Sequence, residues 1–199
     1  MGKEWRDCIV TYIDLIETTK AGDPANLMRS LHALVAREKS QLASIHHAYT
    51  WNDSVLLVSF PDREEAYSAA MHDADGLKKR IDREVAKCYA IAVKGQAFPQ
   101  VDTSGTAGVT VIEASSWAMA NCFAIEREAR RGKWARPWYV DIRIARKIET
   151  GPCFKKHMVS MLGTGGSRRP RAICAFSGYL WGDGQTPGGT GHHAHGRRA

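Results

Sequence analysis

The apolar pattern of this chain predicts an α+β fold, an antiparallel-rich sheet with helices packed on it. Three observations lead there. Two long segments, from Asp23-Pro24 to about Leu42 and from Arg63 to Val85, repeat their apolar residues every three or four positions, the period of a helix. Around them lie short runs rich in β-branched and aromatic residues: Cys8 to Leu15, His46 to Trp51, Ser54 to Phe60 and Cys88 to Val93. Asn52-Asp53 alone separates the second run from the third, which is hairpin spacing. The resulting order, βαββαβ, is that of ferredoxin-like folds.

Each element has a local reason. The first run ends in Ile13-Asp14-Leu15 and gives way to a polar turn, Glu17 to Asp23. Asp23 can cap the first helix, with Pro24 suited to its first position, and Leu27, Leu31, Leu34 and Val35 share one face. Pro61-Asp62 ends the hairpin. The second helix presents Ala66, Ala69, Ala70, Ala74, Leu77 and Ile81 on its apolar side. The strand Cys88 to Val93 closes at Lys94-Gly95-Gln96. Val101 to Thr106 reads as a loop, Val109 to Ile112 as a strand, and Ser115/Ser116 as the cap of a third helix through Arg131. Trp138 to Ile144 suggests a strand running into a short helix, and Ala172 to Trp181 a late strand. Residues 1–181 are expected to form one domain. Residues 182–199, rich in Gly, His and Arg, are expected to be a flexible tail, with His192, His193 and His195 no native metal site.

Composition excludes several classes. With 199 residues, 44% of them hydrophobic, the chain is long enough to bury a core without staples. No apolar run approaches the ~20 residues of a membrane span and the start has no signal-peptide pattern, so a cytoplasmic protein is expected. Five scattered cysteines favour reduced core thiols over disulfides or zinc. The net charge of +7 attracts polyanions without telling a nucleic acid from a nucleoside triphosphate. Much of the excess lies in Arg168-Arg169-Pro170-Arg171 and Arg197-Arg198, read as solvated tail.

The candidate chemistry begins with Asp14. A carboxylate inside a half-buried strand is costly unless paired or bound to a cation. A second carboxylate, Asp53, stands at the hairpin tip, and the predicted order brings both to one end of the sheet, where they can hold a divalent metal. Tyr12-Ile13-Asp14-Leu15-Ile16-Glu17-Thr18-Thr19 resembles the first-strand motif of class III nucleotidyl cyclases, and Trp51-Asn52-Asp53-Ser54 their second metal motif, with Asn52 where Gly usually stands. Asn tolerates positive φ, so the turn remains feasible. Arg63 to Ala70 is similar to the helix that follows the hairpin in that family, and the likeness extends from about Cys8 to Ile148.

This resemblance implies a cyclase catalytic domain that closes the ribose 3′-oxygen of a nucleoside triphosphate onto its α-phosphate, releasing pyrophosphate. It implies two divalent cations, Mn²⁺ or Mg²⁺, on Asp14, Asp53 and the backbone of Ile13 or Leu15. Amides from Leu15 through Thr18 and Thr19 would cradle the phosphates. A homodimer with active sites at its interface follows from the same likeness. Four residues before Asp53, where purine cyclases commonly carry Lys or Glu, stands Tyr49. A tyrosine narrows the pocket and suits a smaller base, which is similar to the bacterial pyrimidine cyclases of the Pycsar anti-phage system, makers of cyclic UMP or cyclic CMP. Tyr49 as a cross-strand packing residue is the competing reading.

The third-helix motif departs from the family. Asn121 is carried over as a catalytic residue, but Ile125 stands where the family has Arg, and Arg127, Arg130 and Arg131 come later. Either the helix is registered differently or another arginine enters from elsewhere. Three alternatives remain: a purine cyclase, a nucleotide sensor without turnover, and an RNA-binding ferredoxin-like module. The last needs a Lys/Arg-Gly-aromatic strand motif of which Lys94-Gly95-Gln96-Ala97-Phe98 is only an echo, so no nucleic-acid partner is expected.

Overall fold

The structure, a computed structural model, describes residues 5–16, 18–97, 117–134, 136–148, 153–163 and 167–181. Its elements are β1 (Arg6–Leu15), α1 (Pro24–Glu38), β2 (His47–Trp51), β3 (Ser54–Ser59), α2 (Glu64–Glu84), β4 (Cys88–Ala97), α3 (Trp117–Arg131), β5 (Trp138–Asp141), α4 (Ile142–Ala145), β6 (Lys155–Leu162) and β7 (Arg168–Phe176). The seven strands form one sheet in the order β2-β3-β1-β4-β5-β7-β6. The first four have the ferredoxin-like arrangement, all antiparallel, with β1 between β3 and β4. β5 runs parallel to β4, which requires a crossover, and α3 lies in the segment between them.

Helices cover both faces, so β1 is apolar on both sides. Ile9, Ile13 and Leu15 face α1 and α2, packing with Leu31, Leu34, Val35, Ala74, Leu77 and Ile81. Cys8, Val10 and Tyr12 face α3, packing with Ala118, Cys122 and Ile125. By this alternation Asp14 belongs to the α3 face. Gly95 lets α3 lie close on β4, because a Cβ there would stand 2.7 Å from that of Ala118. The apparent RNA-binding echo around Lys94-Gly95 is therefore a packing contact.

The local expectations fare well where the residues are described. Asp23 accepts the Asn26 amide at 2.9 Å and Pro24 opens α1, which hands over at Lys39–Gln41 to a 3-10 turn. Asn52 has φ 48°, the left-handed conformation that the tight turn demands. In α2 the apolar face carries Tyr67 and Met71, whereas Ala69 is exposed. Cys8, Cys88, Cys122 and Cys174 are buried free thiols. The loop at Val101, the strand at Val109 to Ile112, the Ser115/Ser116 cap and residues 182–199 lie outside the described residues.

One strand has no counterpart among the expectations, and one expectation is corrected. β6 carries the pattern Lys-Lys-His-Met-Val-Ser-Met-Leu, and only Val159 and Met161 are buried in it, so as an edge strand it lacks the apolar run that marks the others. Arg168 to Arg171 is no tail but the start of β7, where Pro170 is exposed and pairs with Ser160. No helix among the described residues is long and apolar enough to cross a membrane.

Candidate active site

The sheet register places Asp14 opposite Ser54 on β3 and opposite Tyr89 on β4, with Trp51 one strand further out. One rung of the sheet thus holds the acidic residue and two hydroxyls. Asp14 is 2% exposed and would be costly there without donors. Its Oδ1 accepts from Ser54 Oγ at 2.7 Å, and its Oδ2 accepts from Tyr89 OH at 2.8 Å and from an Arg130 guanidinium nitrogen at 3.1 Å. Since Ser54 has one hydroxyl proton and gives it to Asp14, its contact with Tyr12 OH at 3.0 Å has Tyr12 as donor. Burial and the nearby Asp14 charge push the Tyr89 phenol well above its ordinary range, so it remains a protonated donor. Burial likewise raises Tyr12.

Asp53 is held from the other side of the tip. Its Oδ2 accepts from Thr18 Oγ1 at 2.7 Å, and its carbonyl accepts from the Leu15 amide at 3.1 Å. The tip is tied to α1 by His32, whose Nε2 lies 3.0 Å from the Asn52 carbonyl oxygen. Asp14 and Asp53 therefore come together as expected, at the C-terminal end of β1. Glu126 and Arg130 join them from α3, one turn apart and bridged at 2.8 Å. Burial lifts the Glu126 carboxyl above its usual range, and Asp14 adds to this while Arg130 opposes it. A hydrogen bond to the Tyr89 oxygen, with the charges of Glu126 and Asp14, holds the Arg130 guanidinium above its ordinary range.

The remaining predicted residues divide. Thr18 touches the site, and Thr19 lies in the same 3-10 turn, Thr18–Lys20. The Leu15 amide is committed to Asp53 and the Ile16 amide to the Lys87 carbonyl at 2.8 Å, so neither is available to cradle a phosphate. Ile13 is paired on both sides, with Val55 and Ala90, while Leu15 closes the strand opposite Cys88. Tyr49 lies opposite Leu56, which faces Tyr12, so it sits on the Asp14 face two residues before that rung, its ring stacked on His47 at 6.1 Å. Asn121 is not brought to Asp14 within the chain. It stands nine residues before Arg130 on α3, roughly 13 Å along the axis. Its amide donates to the Leu162 carbonyl at 2.8 Å and accepts the Leu162 amide at 2.7 Å, capping the end of β6.

Sequence reasoning missed Tyr89 and Ser54, and left Arg130 unassigned. Ser54 follows Asp53 directly, and Glu126/Arg130 has the i,i+4 spacing of a helix pair. Nothing local marks Tyr89, whose role depends on the β1–β4 register. Beside Tyr89 opens a cavity of about 420 Å³ whose lining includes Ile16, Lys87, Trp134, Arg136 and Tyr179. Among the described residues no three His, Cys, Asp or Glu side chains are arranged to hold a metal. The oxygen donors of Asp14 and Asp53 nevertheless suit a hard cation that keeps positions open for phosphate, in place of the Arg130 guanidinium now on Asp14.

This is an α+β domain with paired carboxylates at one end of its central strands, and solved structures share its fold. Guanylyl cyclase Cya2 matches with a TM-score of 0.58 at 9% identity, over 90% of this chain and 95% of that one. A bacterial light-regulated adenylyl cyclase matches at 0.59 and 9% identity, over 90% of this chain and 54% of that one. The adenylyl cyclase CyaB from P. aeruginosa matches at 0.52 and 8% identity, over 89% and 97%. In sequence, no protein-family model and no curated protein matches the chain.

Proposed function

We propose that this chain is a nucleotidyl cyclase, converting a nucleoside triphosphate to its 3′,5′-cyclic monophosphate and pyrophosphate. The observation that carries the reading is the meeting of Asp14 and Asp53, on adjacent strand ends, in a fold shared with adenylyl and guanylyl cyclases. Two divalent cations, Mn²⁺ or Mg²⁺, held by these carboxylates would neutralise the phosphates and acidify the ribose hydroxyl. Ser54 and Tyr89 orient Asp14, and Thr18 orients Asp53. Lys87 and Arg136, in the lining of the neighbouring cavity, would supply cationic charge for the phosphate chain, with Trp134 and Tyr179 beside them in the same lining.

A homodimer with sites at its interface is part of the proposal. It is supported by Trp51 and Phe123, 36% and 38% exposed, which flank Tyr12 with ring centroids at 6.3 and 5.3 Å and leave an apolar rim beside the site. For the base we favour a pyrimidine, UTP or CTP, on the bulk of Tyr49, with the product serving as a second messenger in anti-phage defence. The purine reading is favoured by the adenylyl and guanylyl cyclases that share the fold.

The test is incubation of the purified protein with each of the four ribonucleoside triphosphates and Mn²⁺, with chromatographic resolution of the products. A cyclic nucleotide whose formation disappears in Asp14→Ala and in Asp53→Ala is expected. No cyclic product from any triphosphate overturns the proposal, and a purine product alone overturns the role given to Tyr49.

A further inference from the structure

Two of the three side-chain donors to Asp14, Ser54 and Tyr89, are neutral hydroxyls. They satisfy the oxygens of a buried carboxylate without balancing its charge. Among the described residues Arg130 is its sole ion-pair partner. A buried carboxylate without a cation is strongly destabilising, so Arg130 fills the role that a divalent cation would take.

The contact is built to be released. Arg130 lies in the last turn of α3, and its side chain is 67% exposed. It reaches Asp14 Oδ2 through one nitrogen, Nη2, at 3.1 Å, and the same nitrogen lies 2.8 Å from Glu126 Oε1. A firm guanidinium–carboxylate pair uses two nitrogens in a fork, and the pair with Asp14 uses one. Glu126 stands one turn earlier on the same helix, with a side chain only 16% exposed and Arg130 as its sole ion-pair partner among the described residues. Rotation of one exposed side chain therefore takes the guanidinium off Asp14 while it keeps a carboxylate, and no helix has to move. A guanidinium and a divalent cation cannot share one carboxylate oxygen, because their charges repel at that distance.

We infer that Arg130 is a resident counter-ion of the Asp14 site, which holds the place of a divalent cation until one binds and then withdraws onto Glu126. The inference rests on the reading of Asp14 as a metal ligand. Its consequence is regulatory: an internal competitor sets the apparent metal affinity, so the site fills only above a concentration of free Mn²⁺ or Mg²⁺ that the chain itself fixes.

The experiment is titration of the full chain with Mn²⁺, followed by the loss of the free-ion electron paramagnetic resonance signal, in wild type, Arg130→Gln, Arg130→Lys, Arg131→Gln and Asp14→Asn. Arg130→Gln is expected to bind Mn²⁺ about fivefold more tightly, and Arg130→Lys to fall between it and wild type. Arg131→Gln, which removes the neighbouring guanidinium paired with Glu128 at 3.4 Å, is expected to match wild type. Urea unfolding supplies a second readout. In EDTA the midpoint of Arg130→Gln should lie below that of wild type, and saturating Mn²⁺ should remove most of the difference, since Arg130 has then already left Asp14. A purely structural role for Arg130 would leave that difference unchanged by Mn²⁺, which overturns the inference. Equal Mn²⁺ affinity in wild type and Arg130→Gln, with binding lost in Asp14→Asn, overturns it too while the metal reading stands. So does equal tightening in Arg131→Gln, which makes the effect one of general charge. Binding that Asp14→Asn does not change, or no binding by any of the proteins, overturns the metal reading and this inference with it.

Discussion

Replacing Tyr89 by Phe removes one atom from the site and leaves the ring. Asp14 is 2% exposed and receives three donors, of which the Tyr89 hydroxyl at 2.8 Å is one. A hydrogen bond to a charged group contributes ~1.5–3 kcal/mol, and the buried carboxylate has no water to replace it. The variant should therefore lose ~1.5–3 kcal/mol of unfolding free energy at neutral pH. For a urea m-value of ~2 kcal/mol/M, the midpoint falls by about 1 M. The assay is urea unfolding followed by tryptophan fluorescence, in EDTA so that no metal compensates. The effect must pass through Asp14, so in an Asp14→Asn background Tyr89→Phe should cost less than half as much. A loss under ~0.5 kcal/mol in the single variant, or an equal loss in both backgrounds, would refute the assignment of Tyr89 as a support of Asp14.

Other variants probe the frame around the site. Lys78 is fully buried and bonded to Asp82 at 2.6 Å, so Lys78→Met leaves a nearly buried carboxylate without its cation and should cost ~3–5 kcal/mol in chemical denaturation, partly recovered by adding Asp82→Asn. Gly95→Ala drives a methyl group against Ala118 and should cost ~1–3 kcal/mol, with Ala118→Gly as the compensating change. The His157 ring stacks on Trp134 at 3.7 Å, and burial, then Lys155, lower its pKa. The unfolded state then takes up this proton first as pH falls below ~6.5, so stability drops between that pH and the lower folded value, and His157→Phe should flatten the slope in pH-dependent thermal melts.

The parts legible in the sequence are those with short-range causes. The cap at Asp23, the turn at Asn52 and the two amphipathic helices each follow from a few neighbouring residues, and with the strand runs they yield βαββαβ. The pairing of Asp14 with Asp53 was legible because the hairpin tip and the end of β1 must meet in that order. The rest needed register. Tyr89 is one aromatic among several until β4 is laid against β1, and Asn121 is an ambiguous helix residue until Ala118, Cys122 and Ile125 are seen to face the sheet, which turns it toward β6. β6 was illegible because an edge strand buries too few residues to show a pattern.

The donors to Asp14 come from 40, 75 and 116 residues further along the chain. Contacts at such separations carry a loop-closure cost that local hairpins and helices do not. No fragment that stops short of α3 can reproduce this carboxylate's surroundings. The environment of Asp14 is thus a readout of cooperative assembly, and a spectroscopic probe there would follow the global folding transition rather than the order of any one element.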